Sequence, residues 1–274
     1  MSVFINTTDS MITSSSLKAN IKDVVTPSTS STTSLTSLDN DVNTTINSTN
    51  DDNTDIYEIK TVAELESSLI SLFAKVEREG LSLSYKLSTI AQMLDHSNFT
   101  STEMNRFTFW SAEKPYTRNC VINNDKFTVL LLCWNANARS SIHDHPCDAC
   151  FIKVIRGCIK ETKYIIDDDK NITPLSNKFH IENQVSYMDN SNILHSISNP
   201  NPEVGAVTLH VYTPPFSECK TWTKPGNKVL DDYTIGKIGF FSYLGIRTPH
   251  LEGRPSYHAR LMSEINSIRS GSGI

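Results

Sequence analysis

The stretch SSIHDHPCDACFIKVIRG, residues 140–157, holds the densest group of metal-ligating side chains in the sequence. His143 and His145 lie two apart, Cys147 and Cys150 follow, and Gly157 closes the stretch. On a β-strand, residues i and i+2 project from one face, so the two histidines can grip one metal ion. His-x-His running into Cys-x-x-Cys admits three readings: a zinc knuckle, a redox dithiol, or part of an iron enzyme. A lone His-x-His also arises by chance on exposed strands, so neighbouring sequence has to choose among them.

That neighbouring sequence is built of short apolar runs. KFTVLLLCW (126–134), FIKVI (151–155), KETKYII (160–166), QVSYM (184–188) and AVTLHVY (206–212) read as strands. Asn123-Asn124-Asp125, Asp167-Asp168-Asp169 and Asn199-Pro200-Asn201-Pro202 supply turn chemistry between them. Many short strands with no helices between them predict an antiparallel barrel or a double-sheet jelly roll. In AVTLHVY, Thr208, His210 and Tyr212 share one face while Val207, Leu209 and Val211 share the other. The polar face is either wet or lines the lumen of a small barrel, and this strand alone does not decide. Ahead of the strands, Thr61-Val62-Ala63-Glu64 has capping-box spacing, and Leu65, Leu69, Leu72, Phe73 and Val76 recur at helical intervals. A second helix is predicted from about 83 to 94. Both helices read as scaffold.

Residues 1–55 are a Ser/Thr/Asn/Asp tract whose one aromatic is Phe4, too poor in apolar surface to fold. The expected organisation is a disordered low-complexity extension (1–55), one well-cored domain (56–250) and a C-terminal tail (251–274). A net charge of −5 gives no basic footprint, which argues against nucleic acid. No apolar run approaches the ~20 residues that cross a bilayer. The N-terminus has no basic region ahead of an apolar core, and the first arginine is Arg78, so neither a secretory signal nor a mitochondrial presequence is expected. A cytoplasmic protein follows, in which the six cysteines form no disulfide framework.

Cys150 stands five residues after His145, Gly157 seven after Cys150, and His195 and Asn199 recur as His-x-x-x-Asn. This pattern resembles the two motifs of the cupins. Most cupins have a metal-binding Glu where Cys150 stands; Cys there marks the animal-type cysteine dioxygenases. Tyr116-Thr117-Arg118-Asn119, Cys133-Trp134, Ser140 to His145, Leu209 to Phe216 and Gly245 to Pro249 also look like that family. The resemblance covers roughly residues 58–250. It implies a mostly-β, cupin-type antiparallel β-barrel, a double-sheet jelly roll with the N-terminal helices packed outside.

The resemblance also implies a site. His143, His145 and His195 would ligate Fe(II), one per chain. Three neutral ligands leave the ion's double charge uncompensated, which favours an anionic substrate thiolate. Arg118 would clamp the substrate carboxylate through two parallel hydrogen bonds, with Tyr116 adding a hydroxyl. Cys150 and Tyr212 match a pair that forms a thioether crosslink. Tyr212, Cys150 and His210 would serve catalysis, with His210 and Tyr212 also touching substrate and Thr208 orienting His210. Related mercaptopropionate dioxygenases carry Gln where Arg118 stands, so cysteine is the expected thiol. The implied reaction takes L-cysteine and O2 to cysteine sulfinate, both oxygens going to sulfur. It is the first step of cysteine catabolism toward hypotaurine and taurine or pyruvate and sulfite. No nucleic acid, no membrane and a monomeric state are expected.

The chain departs from the pattern at Thr208, where the family commonly has Ser, and in three further places. Asn137 stands near where a Gly usually opens the first motif, Cys147 is an addition, and residues around 224–236 look longer. Cys219 matches a family cysteine near the pocket mouth. A thiol dioxygenase acting on another small thiol is the nearest alternative. A zinc-binding or redox module on Cys147 and Cys150 is more distant, because it leaves Arg118, His195, His210 and Tyr212 unused.

Overall fold

The first helix starts where the capping box predicts. The Thr61 hydroxyl accepts from the Glu64 N–H at 3.2 Å, and the Glu64 carboxylate accepts from the Lys60 and Thr61 N–H groups at 2.7 and 3.0 Å. These bonds occupy donors that the first turn leaves without helical partners. Helix α1 (Val62–Glu79) ends at Gly80 in the left-handed region, φ 63°. Ser82 caps α2 (Leu83–Asp95), and Thr100 caps a one-turn α3 (Ser101–Asn105) too short to show a period in sequence. The computed structural model describes residues 58–189, 193–223, 225 and 231–247. The expected extension and tail lie outside these residues, as do 224 and 226–230 of the longer segment around 224–236.

Thirteen strands follow. They are β1 (Tyr116–Asn123), β2 (Thr128–Trp134), β3 (Ile142–His143), β4 (Ala149–Arg156), β5 (Cys158–Ile166), β6 (Ile172–Ile181), β7 (Val185–Asp189), β8 (Ile193–Ser198), β9 (Ala206–Thr213), β10 (Glu218–Trp222), β11 (Thr234–Lys237), β12 (Ser242–Tyr243) and β13 (Ile246–Arg247). They make a seven-stranded sheet in the order β13-β12-β1-β2-β9-β4-β7 and a six-stranded sheet in the order β11-β10-β3-β8-β5-β6. The expected cupin-type barrel of two sheets with helices outside is what forms. One pairing departs from it: β1 and β12 run parallel.

Alternation decides what each face meets. On β9, Val207, Leu209 and Val211 pack with Leu65, Leu69, Leu72, Ile90 and Leu94 of the helices. Thr208, His210 and Tyr212 face the other way, between the sheets, beside a cluster holding Leu130, Leu132, Trp134, Cys150, Ile152 and Ile197. Thr208 and His210 are buried, at 0% and 3% exposure, so the wet-face reading of AVTLHVY fails and the lumen reading holds. Each fully buried Leu or Val contributes about 1.5–3 kcal/mol, so this helix-side core anchors the sheet that carries half the pocket. Lys153 on β4 is buried in that core, its ammonium donating to the Leu94 carbonyl at 2.8 Å and the Asp95 carbonyl at 3.4 Å. Its charge meets the negative end of α2 and fixes the helix to the strand. Burial lowers its pKa.

Two positions flagged in sequence have a backbone reason. Gly157 joins β4 to β5 at φ 84°, and a Cβ there would sit 3.3 Å from the Ala206 Cβ. Asn137 takes φ 57°, the left-handed turn that a glycine would otherwise supply and that Asn tolerates. No helix among the described residues is long and apolar enough to cross a membrane.

Candidate active site

His143 ends β3 and pairs directly with His195 on β8, so the ladder itself brings two distant histidines together. His145 lies just beyond the strand, not within it as the spacing had implied. Pro146 follows, with no N–H to extend a ladder, and the two rings still lie 4.8 Å apart between centroids. The three rings lie 4.6–4.8 Å apart between centroids, and one nitrogen from each falls within 4.8 Å of the others.

Hydrogen bonds fix which nitrogens converge. The Nδ1 of His143 lies 3.0 Å from the Ser141 carbonyl, which can only accept, so Nδ1 carries the proton. The Nδ1 of His195 donates likewise to Glu161 at 2.8 Å. Their Nε2 atoms face each other at 3.2 Å, and with both rings neutral, as ligation requires, each presents a lone pair there. Both nitrogens of His145 are buried without a hydrogen-bond partner among the described residues. Two lone pairs in opposition and an orphaned buried imidazole are unfavourable unless a cation sits among them. The set therefore fits a metal ion. Burial, then the neighbouring His195, pushes the pKa of His143 and of His145 well below the ordinary value near 6.5, which keeps both rings neutral as ligation requires.

Glu161, on β5, was not singled out in the sequence. Its carboxylate accepts from His195, from His180 at 3.1 Å and from the Ser186 hydroxyl at 2.8 Å. Burial alone would raise its pKa, but the bonds from His180 and His195 outweigh that and hold it below the usual carboxylate range. A charged residue in KETKYII reads as solvent-facing; the signal was its place two residues after Ile159, on the inward face.

The opposite wall comes from the seven-stranded sheet. Tyr116 and Arg118 share a face of β1, and the guanidinium donates to the Tyr116 hydroxyl at 2.8 Å. The Tyr116 ring stacks on Trp134 at 4.4 Å. The Trp134 indole donates to the Thr208 hydroxyl at 2.9 Å, Thr208 lies 2.8 Å from His210 Nε2, and His210 Nδ1 lies 3.2 Å from the Tyr212 hydroxyl. Burial pushes the His210 pKa down to about 3 and that of Tyr212 well above its ordinary value. Cys150 on β4 is the direct cross-strand partner of Tyr212 on β9, the closest approach that two strands offer. Burial also raises the Cys150 thiol.

Tyr116, Arg118, His143, His145, His210, Tyr212 and Cys219 all line one cavity, closed by Leu132, Ile197 and Phe216. The structure thus brings together every site residue expected from sequence, with Cys150 directly behind Tyr212. Cys147 is buried, its thiol bonded to the Ala149 carbonyl, and neither it nor Cys150 belongs to the metal-ligating group. Asn199 holds a turn by donating to the Asn135 and Val204 carbonyls at 3.0 and 2.8 Å. A separate cleft of about 220 Å³ beside Lys153 and Asn183 contains none of these groups.

Comparison with known proteins gives the arrangement relatives. The chain is 39% identical over 141 residues to cysteine dioxygenase type 1 of Homo sapiens, covering 49% of this chain and 67% of that protein. It is 37% identical over 139 residues to the Danio rerio protein of the same name, with the same coverage. Likeness to solved structures is slight: a double-stranded β-helix protein from Klebsiella pneumoniae gives a TM-score of 0.34 at 16% identity, covering 46% of this chain and 97% of that one. The model of the cysteine dioxygenase type I family matches residues 52–225, well over half the sequence, and the chain belongs to that family.

Proposed function

We propose that this protein is an iron(II)-dependent dioxygenase that converts L-cysteine and O2 to cysteine sulfinate. The observation that carries the reading is the meeting, in one cavity, of three histidines with converging bare nitrogens and an arginine already oriented by a tyrosine. His143, His145 and His195 hold the ion, one per chain. Iron(II) supplies the redox chemistry toward dioxygen that zinc lacks.

The chain's own groups do the positioning. Arg118 binds the carboxylate of the amino acid, and the bond to Tyr116 limits the guanidinium to orientations that face the cavity. Neutral histidines and a cationic arginine favour an anionic thiol substrate. Leu132, Ile197 and Phe216 keep water from the reacting sulfur. Tyr212, supported by His210, holds a phenol proton at the edge of the cavity. Cys150 Sγ, opposite Tyr212 across the ladder, would join the phenol ring in a two-electron oxidation, the S–H and one ring C–H giving way to a C–S bond while dioxygen, the co-substrate, takes up the two hydrogens. The bond would remove the ring's freedom to rotate away. Catalysis resides in one domain, 56–250, of a cytoplasmic monomer.

The test is substrate choice with product identification. With iron bound, kcat/KM for L-cysteine should exceed that for cysteamine, which lacks the carboxylate, and for mercaptopropionate, which lacks the amine. Equal turnover of cysteamine would remove Arg118 from the account. A preference for mercaptopropionate would assign the enzyme to another small thiol.

A further inference from the structure

We propose that Trp134 is a positioning residue that sets the direction of the proton relay ending at Tyr212. The indole N–H is a donor only, and it donates to the Thr208 hydroxyl at 2.9 Å. Thr208 is fully buried, and its hydroxyl oxygen has two partners among the described residues, Trp134 and His210. Were His210 Nε2 protonated, it too would donate to that oxygen. The single hydroxyl hydrogen of Thr208 would then face no acceptor in a site that water does not reach. The arrangement is satisfied only if Thr208 donates to His210 Nε2.

The rest of the chain follows from that one choice. In the neutral imidazole the proton resides on Nδ1, which donates to the Tyr212 hydroxyl 3.2 Å away. The phenol's own hydrogen is therefore directed away from His210, toward the side of its cross-strand neighbour Cys150 and whatever occupies the cavity. The indole bond draws charge from the Thr208 oxygen, making the hydroxyl a stronger donor and a poorer second acceptor. Without it that bias weakens, and the form in which Thr208 accepts from His210 Nε2 and the phenol hydrogen turns inward to Nδ1 gains population. The same indole stacks on Tyr116, so one side chain links the carboxylate clamp to the relay.

The inference rests on Tyr212 facing the substrate, yet its test needs no turnover. Nitrogen-15 NMR on protein carrying diamagnetic zinc at the three histidines reads the His210 tautomer directly. The wild type should show a protonated Nδ1 and a bare Nε2; the reverse assignment overturns the proposal even if no variant folds. Trp134→Phe keeps a ring for stacking and removes the donor. It should shift His210 toward the Nε2-protonated form and, in the iron enzyme, lower kcat about tenfold or more, less than the ~10²–10⁴-fold of removing an acid–base group outright, with KM for cysteine little changed. Thr208→Ser keeps the hydroxyl and should retain the wild-type tautomer. An unchanged tautomer in Trp134→Phe overturns the assignment of direction to Trp134. Failure of cysteine turnover alongside the expected tautomers would sink the functional reading and leave this one standing.

Discussion

The six-stranded sheet contributes His143, His195 and the supporting Glu161, whereas the seven-stranded sheet contributes Tyr116, Arg118, Trp134, Thr208, His210 and Tyr212. On the first wall every hydrogen bond removes a proton from where the histidines converge: Nδ1 of His143 is engaged by a carbonyl and Nδ1 of His195 by a carboxylate. On the second wall donors accumulate, from an indole, a hydroxyl and a guanidinium. One face gathers lone pairs for a cation, and the other presents hydrogens to an anion and to oxygen. The difference teaches how a two-sheet barrel builds such a site. Metal retention and substrate handling are assigned to separate ladders, so variants on one wall should leave the other wall's property intact.

The severest break of that division is on the metal wall. His145→Ala should leave the protein folded but empty of iron, with metal content near zero by elemental analysis and turnover lost with it. Arg118→Ala should do the converse: full metal content, with kcat/KM for cysteine down by a factor on the order of 10²–10³, as expected when one partner of a buried charged pair is truncated. Loss of metal in Arg118→Ala would refute the separation. Glu161→Gln sharpens it further. Loss of the carboxylate behind His195 should weaken metal affinity about 10–100-fold in chelator competition, with little change in KM for cysteine once metal is saturating.

The pH dependence of stability should be two-sided, measured as urea midpoints on metal-free protein. His210 titrates near 3 in the fold against about 6.5 ordinarily, and His143 and His145 are lowered too. In that window the unfolded chain binds more protons, so stability is full above about 6.5 and is lost as pH falls. Glu161, also lowered, acts in the same direction below its ordinary value of 4.5. Cys150 and Tyr212 are raised, so their contribution is present below their ordinary values of 9.0 and 10.0 and fades as pH rises beyond them. Crosslinked protein, which has no Cys150 thiol to ionise, should show a smaller alkaline loss than uncrosslinked protein; comparing fractions separated by intact mass checks it.

Much of this was legible in the sequence because period-two alternation carries over directly to sheet faces. AVTLHVY named both its helix-side residues and its lumen residues, and β2, β4, β5, β7 and β9 fall where the apolar runs lie. The helices were readable from Thr61-x-x-Glu64 and the leucine spacing. Strands β6, β8, β10 and β11 were not read, β6 because most of its residues are exposed and Pro174 interrupts it, nor were the two-residue strands β12 and β13, which are too short to show a period. The histidines and Arg118 were legible through spacing and family likeness. Glu161, His180 and Trp134's link to Thr208 were not, because each depends on cross-strand register: Ile159 opposite His180, and Leu132 opposite Thr208. A single strand's pattern tells which way a side chain points and not what it meets.

The most direct test of the central claim is oxygen uptake by anaerobically iron-loaded protein on addition of L-cysteine, with the product identified. The account predicts one O2 consumed per cysteine sulfinate formed, with both oxygen atoms traceable to labelled dioxygen. Cystine as the product, or no cysteine-dependent uptake from a sample shown to hold iron, would contradict it.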